Sequence, residues 1–167
     1  ADEEIREKSR KLLQQPEERE KVVAEYEQAL AMTGDVARGQ EVFEEVCAKC
    51  HMLNGVGKEV GPDLGEVRNR PRDVLLADIL MPNQTISQGY EAYVVQTGSN
   101  GIIEGVIGPQ TSTTITLRQE EGKERVIRRS DIKRLYAANL SAMPEDLEKL
   151  VDVQQMSDLL EYLKTAP

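Results

Sequence analysis

Cys47, Cys50 and His51 stand together in the run Cys47-Ala48-Lys49-Cys50-His51, and side chains of these types at this spacing serve only a few kinds of chemistry. Two thiols at i and i+3 on the end of a helix point to the same side, where each forms a thioether with a porphyrin vinyl group; the adjacent imidazole then comes under the ring to bind iron. A C-x-x-C pair also serves as a dithiol redox couple, but such a pair starts a helix in a βαβ setting, and here it ends one. A zinc site needs a fourth ligand, and the chain has no second Cys pair and no second His. Short motifs also recur by chance. Covalent haem c, one per chain, is the cofactor expected from the pattern.

His51 is the single histidine of the chain, so one copy cannot hold bis-histidine iron. A soft thioether is then the best sixth ligand, because Met favours reduced iron and raises the potential. Five methionines compete: Met32, Met52, Met81, Met143 and Met156. Met32 and Met52 lie too close to the motif in sequence to reach the opposite ring face, and Met156 falls on an apolar stripe where packing is its role. Met81 and Met143 each precede a proline, which restricts their backbone. Met143 sits in a loop directly before the terminal helix, and that loop can fold over the distal face. The expected metal ligands are His51 and Met143, with Met81 as the alternative.

Several elements must position these groups. Residues 3–32 read as two helical stretches rich in Glu, Lys, Arg and Gln, interrupted by Pro16, with Val22, Val23, Tyr26, Ala29 and Leu30 forming one stripe. Asp35 is the expected N-cap of the helix that ends in the motif, with Val42, Phe43, Val46 and Cys50 on one face. Gly39, one turn before Phe43, would let another helix approach closely. The glycines from Asn54 to Asn69 describe a loop without periodicity. Pro71 opens a helix to about Met81, which Pro82 ends. Alternating β-branched runs at 90–97, 102–107, 113–118 and 125–129 predict strands of an antiparallel meander, turned at Asn100-Gly101 and Glu121-Gly122, with a further strand or turn over 131–136. Asp152 caps a last helix with Met156, Leu159, Leu160 and Leu163 on its buried stripe.

Composition narrows the partners. The 167 residues suit one domain, or one domain with an insertion, and are enough to enclose a bulky apolar ligand. There is no Trp and a single Phe, so aromatic side chains build little of the core, a gap that a large cofactor would fill. Thirty acidic against 21 basic residues give a formal charge of -9, which repels phosphate backbones; no nucleic acid partner is expected. No apolar run reaches the length of a membrane span, and the charged start is not a signal peptide. Two Cys this close in sequence close too small a loop to staple a fold, so no structural disulfide is expected.

Taken together, Gly39, Phe43, the C-x-x-C-H run, Gly61-Pro62-Asp63-Leu64, Met143-Pro144 and a final helix with Leu160, Tyr162 and Leu163 resemble class I cytochrome c. The resemblance implies a mainly α cytochrome c fold in which Gly39 and Phe43 meet the last helix near Tyr162. It implies that the Pro62 carbonyl accepts a hydrogen bond from the free ring nitrogen of His51, and that Leu64 packs on the haem. Arg68 and Arg70 are then propionate partners or, equally, solvated surface arginines; Arg70 is counted with Cys47, Cys50, His51, Pro62 and Leu64 as cofactor-binding. The departure from that family is a β-sheet insertion over 90–137. The expected organisation is an N-terminal helical extension over 1–33, a cytochrome core from 34–89 and 138–167, and the sheet between them.

A narrower resemblance covers the sheet as well. Gly61-Pro62-Asp63-Leu64, Gly89-Tyr90-Glu91-Ala92-Tyr93, the strands and Met143-Pro144 are similar to the planctomycete and verrucomicrobial type of haem-binding domain, commonly found at the C-terminal end of large dehydrogenase-like chains. It implies a non-enzymatic, periplasmic or otherwise exported electron-transfer module that takes single electrons from a redox partner protein or parent dehydrogenase. The competing expectation is a peroxidase-like enzyme or sensor with an open sixth position. A third reading takes the strands, with Gly105, Gly122 and Asp131, as a small SH3-like or Sm-like docking module.

Overall fold

The computed structural model describes residues 19–98 and 101–166. Helix α1 occupies 19–26 and tightens into a 3-10 turn at Glu27–Leu30. The first of the two predicted N-terminal stretches, with Pro16, lies outside the described residues. Tyr26 and Ala29 are buried, and Val22, Val23 and Leu30 pack on the same core, so the stripe read from sequence is the docked face. Polar contacts lock this docking. Arg19 makes a two-pronged bond to Glu148 (2.8 and 2.9 Å) while donating to the Leu80 carbonyl, and the Tyr26 hydroxyl donates to the Val151 carbonyl at 2.7 Å.

Helix α2 (Val36–Val42) begins where the Asp35 carboxylate accepts the Arg38 amide at 2.9 Å, and it loosens into a π turn at Phe43–Cys47 that delivers the first thiol. Helix α3 (Arg72–Leu80) follows Pro71 and stops at Met81, before Pro82. Helix α4 (Val153–Thr165) starts on an Asp152–Gln155 capping box and buries Met156, Leu159, Leu160 and Leu163.

The α2–α4 crossing organises the helical core. A side chain at Gly39 would run into the Asp158 carbonyl and the Tyr162 Cβ, and one at Gly34 would meet Ser157 and Glu161, so these backbones lie in direct contact. Phe43 and Tyr162 pack one turn further on, with ring centroids 5.7 Å apart, as the resemblance implies. Asp158, 1% exposed, sits inside the junction. Its carboxylate accepts from the Asp35 amide (2.8 Å), Arg38 Nε (2.7 Å) and Nη2 (3.1 Å), and Gln154 Nε2 (2.9 Å).

The second half of the chain changes the fold class. After a two-stranded hairpin of β1 (Met52–Leu53) and β2 (Val56–Gly57), strands β3 (Glu91–Thr97), β4 (Gly101–Gln110), β5 (Thr114–Gln119), β6 (Lys123–Arg128) and β7 (Ile132–Ser141) form one antiparallel sheet of order β6-β5-β4-β3-β7. Strands β3 to β6 follow the predicted meander; β7 then returns to the free edge of β3. It runs on to Ser141, beyond the expected 131–136, although Ala137–Ser141 carry no alternating pattern: Ala137 pairs with Tyr93 and, past a bulge where Asn139 has φ 55°, Ser141 pairs with Glu91. Val95, Ile115, Leu117 and Ile127 build the sheet its own buried cluster, separate from the helical one. The expectation of a mainly α cytochrome fold is therefore wrong. Two ten-residue strands and a separate apolar core make the sheet an equal partner of four α-helices among the described residues, so the fold is α and β combined.

Asn83, after α3, joins the halves. Its Oδ1 accepts the Ser141 amide at 2.7 Å, and its Nδ2 donates to Glu145.

Gly39→Ala is expected to lower stability by about 1–3 kcal/mol, read as a reduced urea midpoint, because neither backbone can retreat from the added methyl. Asp158 is held below the ordinary carboxylate value of 3.8, chiefly by its Arg38 hydrogen bond and against burial. A lowered native pKa means that the unfolded chain binds the proton more readily, so the stabilisation is full above pH 3.8 and lost as pH falls through the native value. Asp158→Asn should thus destabilise the protein at neutral pH, and the gap between variant and parent should narrow in denaturation series taken below pH 3.8.

Candidate haem site

The motif occupies the end of the π turn, where the Cys50 and His51 amides both donate to the Cys47 carbonyl (3.0 and 2.9 Å). Asn54-Gly55, with φ 52° and 79°, then turns a short hairpin of β1 (Met52–Leu53) and β2 (Val56–Gly57) inside the segment read as a loop. Asn-Gly is the dipeptide such a two-residue turn demands, a signal present but unused. The chain folds back on the motif. Amides of Val60 and Gly61 donate to the Cys50 carbonyl (2.9 and 2.7 Å), and that of Leu64 donates to the Met52 carbonyl (2.8 Å).

This return brings Pro62 to His51. His51 Nδ1 lies 2.8 Å from the Pro62 carbonyl oxygen, which can only accept; Nδ1 therefore carries the proton and the Nε2 lone pair is left for a ligand. Burial lowers the His51 pKa, with the Pro62 bond opposing it, so the ring is neutral, as a metal-binding imidazole must be. Gly61 seats the ring. A Cβ at this position would lie 2.8 Å from His51 Nδ1 and 3.0 Å from Nε2, so only glycine lets the backbone pass flat against the imidazole.

The two thiols are unbridged. Burial pushes Cys47 up to about 12, and burial followed by the Glu120 carboxylate raises Cys50. Both stay protonated at neutral pH, the opposite of the low-pKa thiolate of a dithiol redox couple. Among the described residues no cluster of three or more His, Cys, Asp or Glu could hold a metal ion, which leaves the zinc reading without ligands.

The remaining sequence-derived residues fall in three places. Leu64, half-buried, packs with Val67, Ile79 and Ala48 on the helical core that carries Cys47. Arg70 is paired with Asp78 at 2.5 Å, while the carbonyls of Arg68 and Arg70 accept the Lys164 ammonium. Met143, half-buried, lies between β7 and the 3-10 turn Leu147–Lys149, its amide donating to Ser141 Oγ at 3.1 Å. Met81 caps α3, and Met156 is fully buried in the core, the packing role expected of it.

Sequence reading missed the contacts that the sheet makes with the motif. The Glu121 amide donates to the Lys49 carbonyl at 2.9 Å, and Arg118 Nη1 donates to the Glu59 carbonyl at 2.6 Å. No local pattern marks such contacts, since they join positions about sixty residues apart or more.

Two free protonated thiols, a neutral imidazole with Nε2 available and a glycine seat under the ring suit a covalently attached, His-ligated haem. Gly61→Ala is expected to push the ring off the Pro62 carbonyl and to reduce the fraction of chains carrying covalent haem at least severalfold, measured by pyridine haemochrome against intact mass.

Residues 36–103 match the family described as cytochrome c. Over 43 residues the chain is 44% identical to the cytochrome c of Chlamydomonas reinhardtii, a stretch covering 25% of this chain and 38% of that relative. The chain thus aligns with well under half of that relative's length. The family match over residues 36–103 takes in the whole C-x-x-C-H turn, Pro62 and α3, and the cofactor that goes with this motif is covalently bound haem c.

Proposed function

We propose that the chain is a monohaem electron-transfer module of class I type, which takes single electrons from a dehydrogenase partner or parent chain. The observation that carries this reading is the His51–Pro62 contact, which sets one tautomer and commits the ring to iron through Nε2. Bound haem c supplies a one-electron ferric/ferrous couple. The protein does the rest by holding ligands still, so that little reorganises when the electron moves.

In this reading His51 and Met143 would hold the iron, Cys47 and Cys50 would anchor the porphyrin, Leu64 would pack on it, Pro62 would tune His51, and Arg70, held by Asp78, would bind a propionate. Support for Met143 comes from its tether. The Met143 amide is bonded to Ser141, Ser141 to Asn83, and Asn83 to Glu145, so the loop is fixed on both sides of the thioether. The proposed division has an N-terminal helical extension over 1–33, a cytochrome core at 34–89 and 138–167, and the sheet as an insertion over 90–137.

The pairing of a cytochrome motif with this sheet supports the planctomycete and verrucomicrobial type of haem-binding domain, and with it a periplasmic or otherwise exported setting. Among the described residues no helix is long and apolar enough to cross a membrane, and the net charge of -9 disfavours nucleic acid.

The parent protein, oxidised, should show the long-wavelength band of thioether-ligated ferric haem, and Met143→Ala should abolish it, turn the ferric spectrum high-spin and lower the reduction potential. A parent spectrum that is already high-spin would sink the carrier reading in favour of an open sixth position.

A further inference from the structure

The β5–β6 hairpin reaches across to the turn that carries the thiols, and it does so with built contacts. At its tip Glu121 and Gly122 both adopt left-handed backbone (φ 63° and 71°), a region sparsely populated by residues with side chains, and this bend points the Glu121 amide at the Lys49 carbonyl. Three residues before Glu121, in β5, Arg118 extends past Gly108, where a Cβ would come within 2.9 Å of its Nε, to reach the Glu59 carbonyl. Gly122 lies on the stem of Lys58: a Cβ there would sit 3.1 Å from Lys58 Cδ. Lys49 precedes Cys50 and His51, while Lys58 and Glu59 precede the Val60–Gly61 return onto the Cys50 carbonyl. The three contacts therefore grip the attachment loop on both sides of His51.

The tip also brings charge. Glu121 is paired with Lys123 at 2.6 Å, whereas Glu120 forms no ion pair among the described residues; its charge acts on Lys123 and on Cys50, where Lys49 opposes it. A carboxylate beside the attachment loop stabilises ferric over ferrous iron, because oxidation adds one positive charge at the metal.

We propose that the β5–β6 turn is a built-in clamp on the haem-attachment loop, in which Arg118 and the Glu121 amide are positioning groups that immobilise residues 49–61 and Glu120 biases the iron toward the ferric state. The sheet is then part of the redox centre and covers its Cys50 side. This rests on the haem reading above.

The test uses the mature holoprotein, with covalent loading established first by haemochrome and intact mass. In Arg118→Met, amides of residues 49–61 are expected to exchange with deuterium at least tenfold faster while those of β3 and β7 keep the parent rate, and Arg118→Lys should restore much of the protection. In Glu120→Gln, spectroelectrochemical titration should show the ferric-to-ferrous ratio at fixed potential falling about twofold, as for one partly screened charge; Glu27→Gln, on the 3-10 turn after α1, should leave it unchanged. A preparation without covalent haem overturns the haem reading itself. In a fully loaded protein, parent-like loop exchange in Arg118→Met, or a parent-like potential in Glu120→Gln, overturns the clamp.

Discussion

The close crossing of α2 over α4 is the constraint on which the rest of the molecule depends. Gly39 lies against the Asp158 carbonyl, and no other residue permits that approach. The Asp158 carboxylate, four times hydrogen-bonded, then fixes the start of α2 through Asp35 and Arg38. With the axis of α2 set at its beginning, the Phe43–Tyr162 contact sets it again near its end, and the thiols emerge from a helix that cannot rotate. A carboxylate buried without these donors would be strongly destabilising; with them it is a directional lock.

The site beyond that helix is irregular backbone held by hydrogen bonds rather than by a packed element. Residues 58–64 fold onto the carbonyls of Cys50, His51 and Met52, and this return is what presents Gly61 and Pro62 to the imidazole. Backbone of this kind opens readily when its bonds face water. The structure offers two supports: the helical core under Cys47 and Leu64, and the hairpin of the sheet at Lys49 and Glu59. Arg19 and Tyr26 play a comparable part on the other side of the core, tying α1 to the turn that follows the Met143 loop.

Much of the fold was legible because it obeys local rules. Caps at Asp35 and Asp152, prolines at 71 and 82, the stripe of α4 and the alternating runs of β3 to β6 each express a short-range preference, and each element appears within a few residues of its expected place. The weight of the sheet was not legible in the same way. A closing strand or turn over 131–136 was expected, but its place beside β3, its extension to Ser141 and the core this gives the strands depend on pairing across about forty residues. Asn54-Gly55 was readable as a tight turn, but its neighbours are too short to announce strands.

The candidate site divides along the same line. The sequence by itself determined the chemistry: two thiols and one imidazole at C-x-x-C-H spacing, and a single histidine that forces any second axial ligand to be of another kind. Identity and spacing along a helix end suffice for that, because covalent connectivity already places those groups on one side. Tertiary structure alone decided the state in which they are held. The proton on His51 Nδ1, the glycine seat beneath the ring and the grip of Arg118 and Glu121 on the attachment loop all arise from contacts between segments distant along the chain, whose geometry exists only once α2, α4 and the sheet have packed.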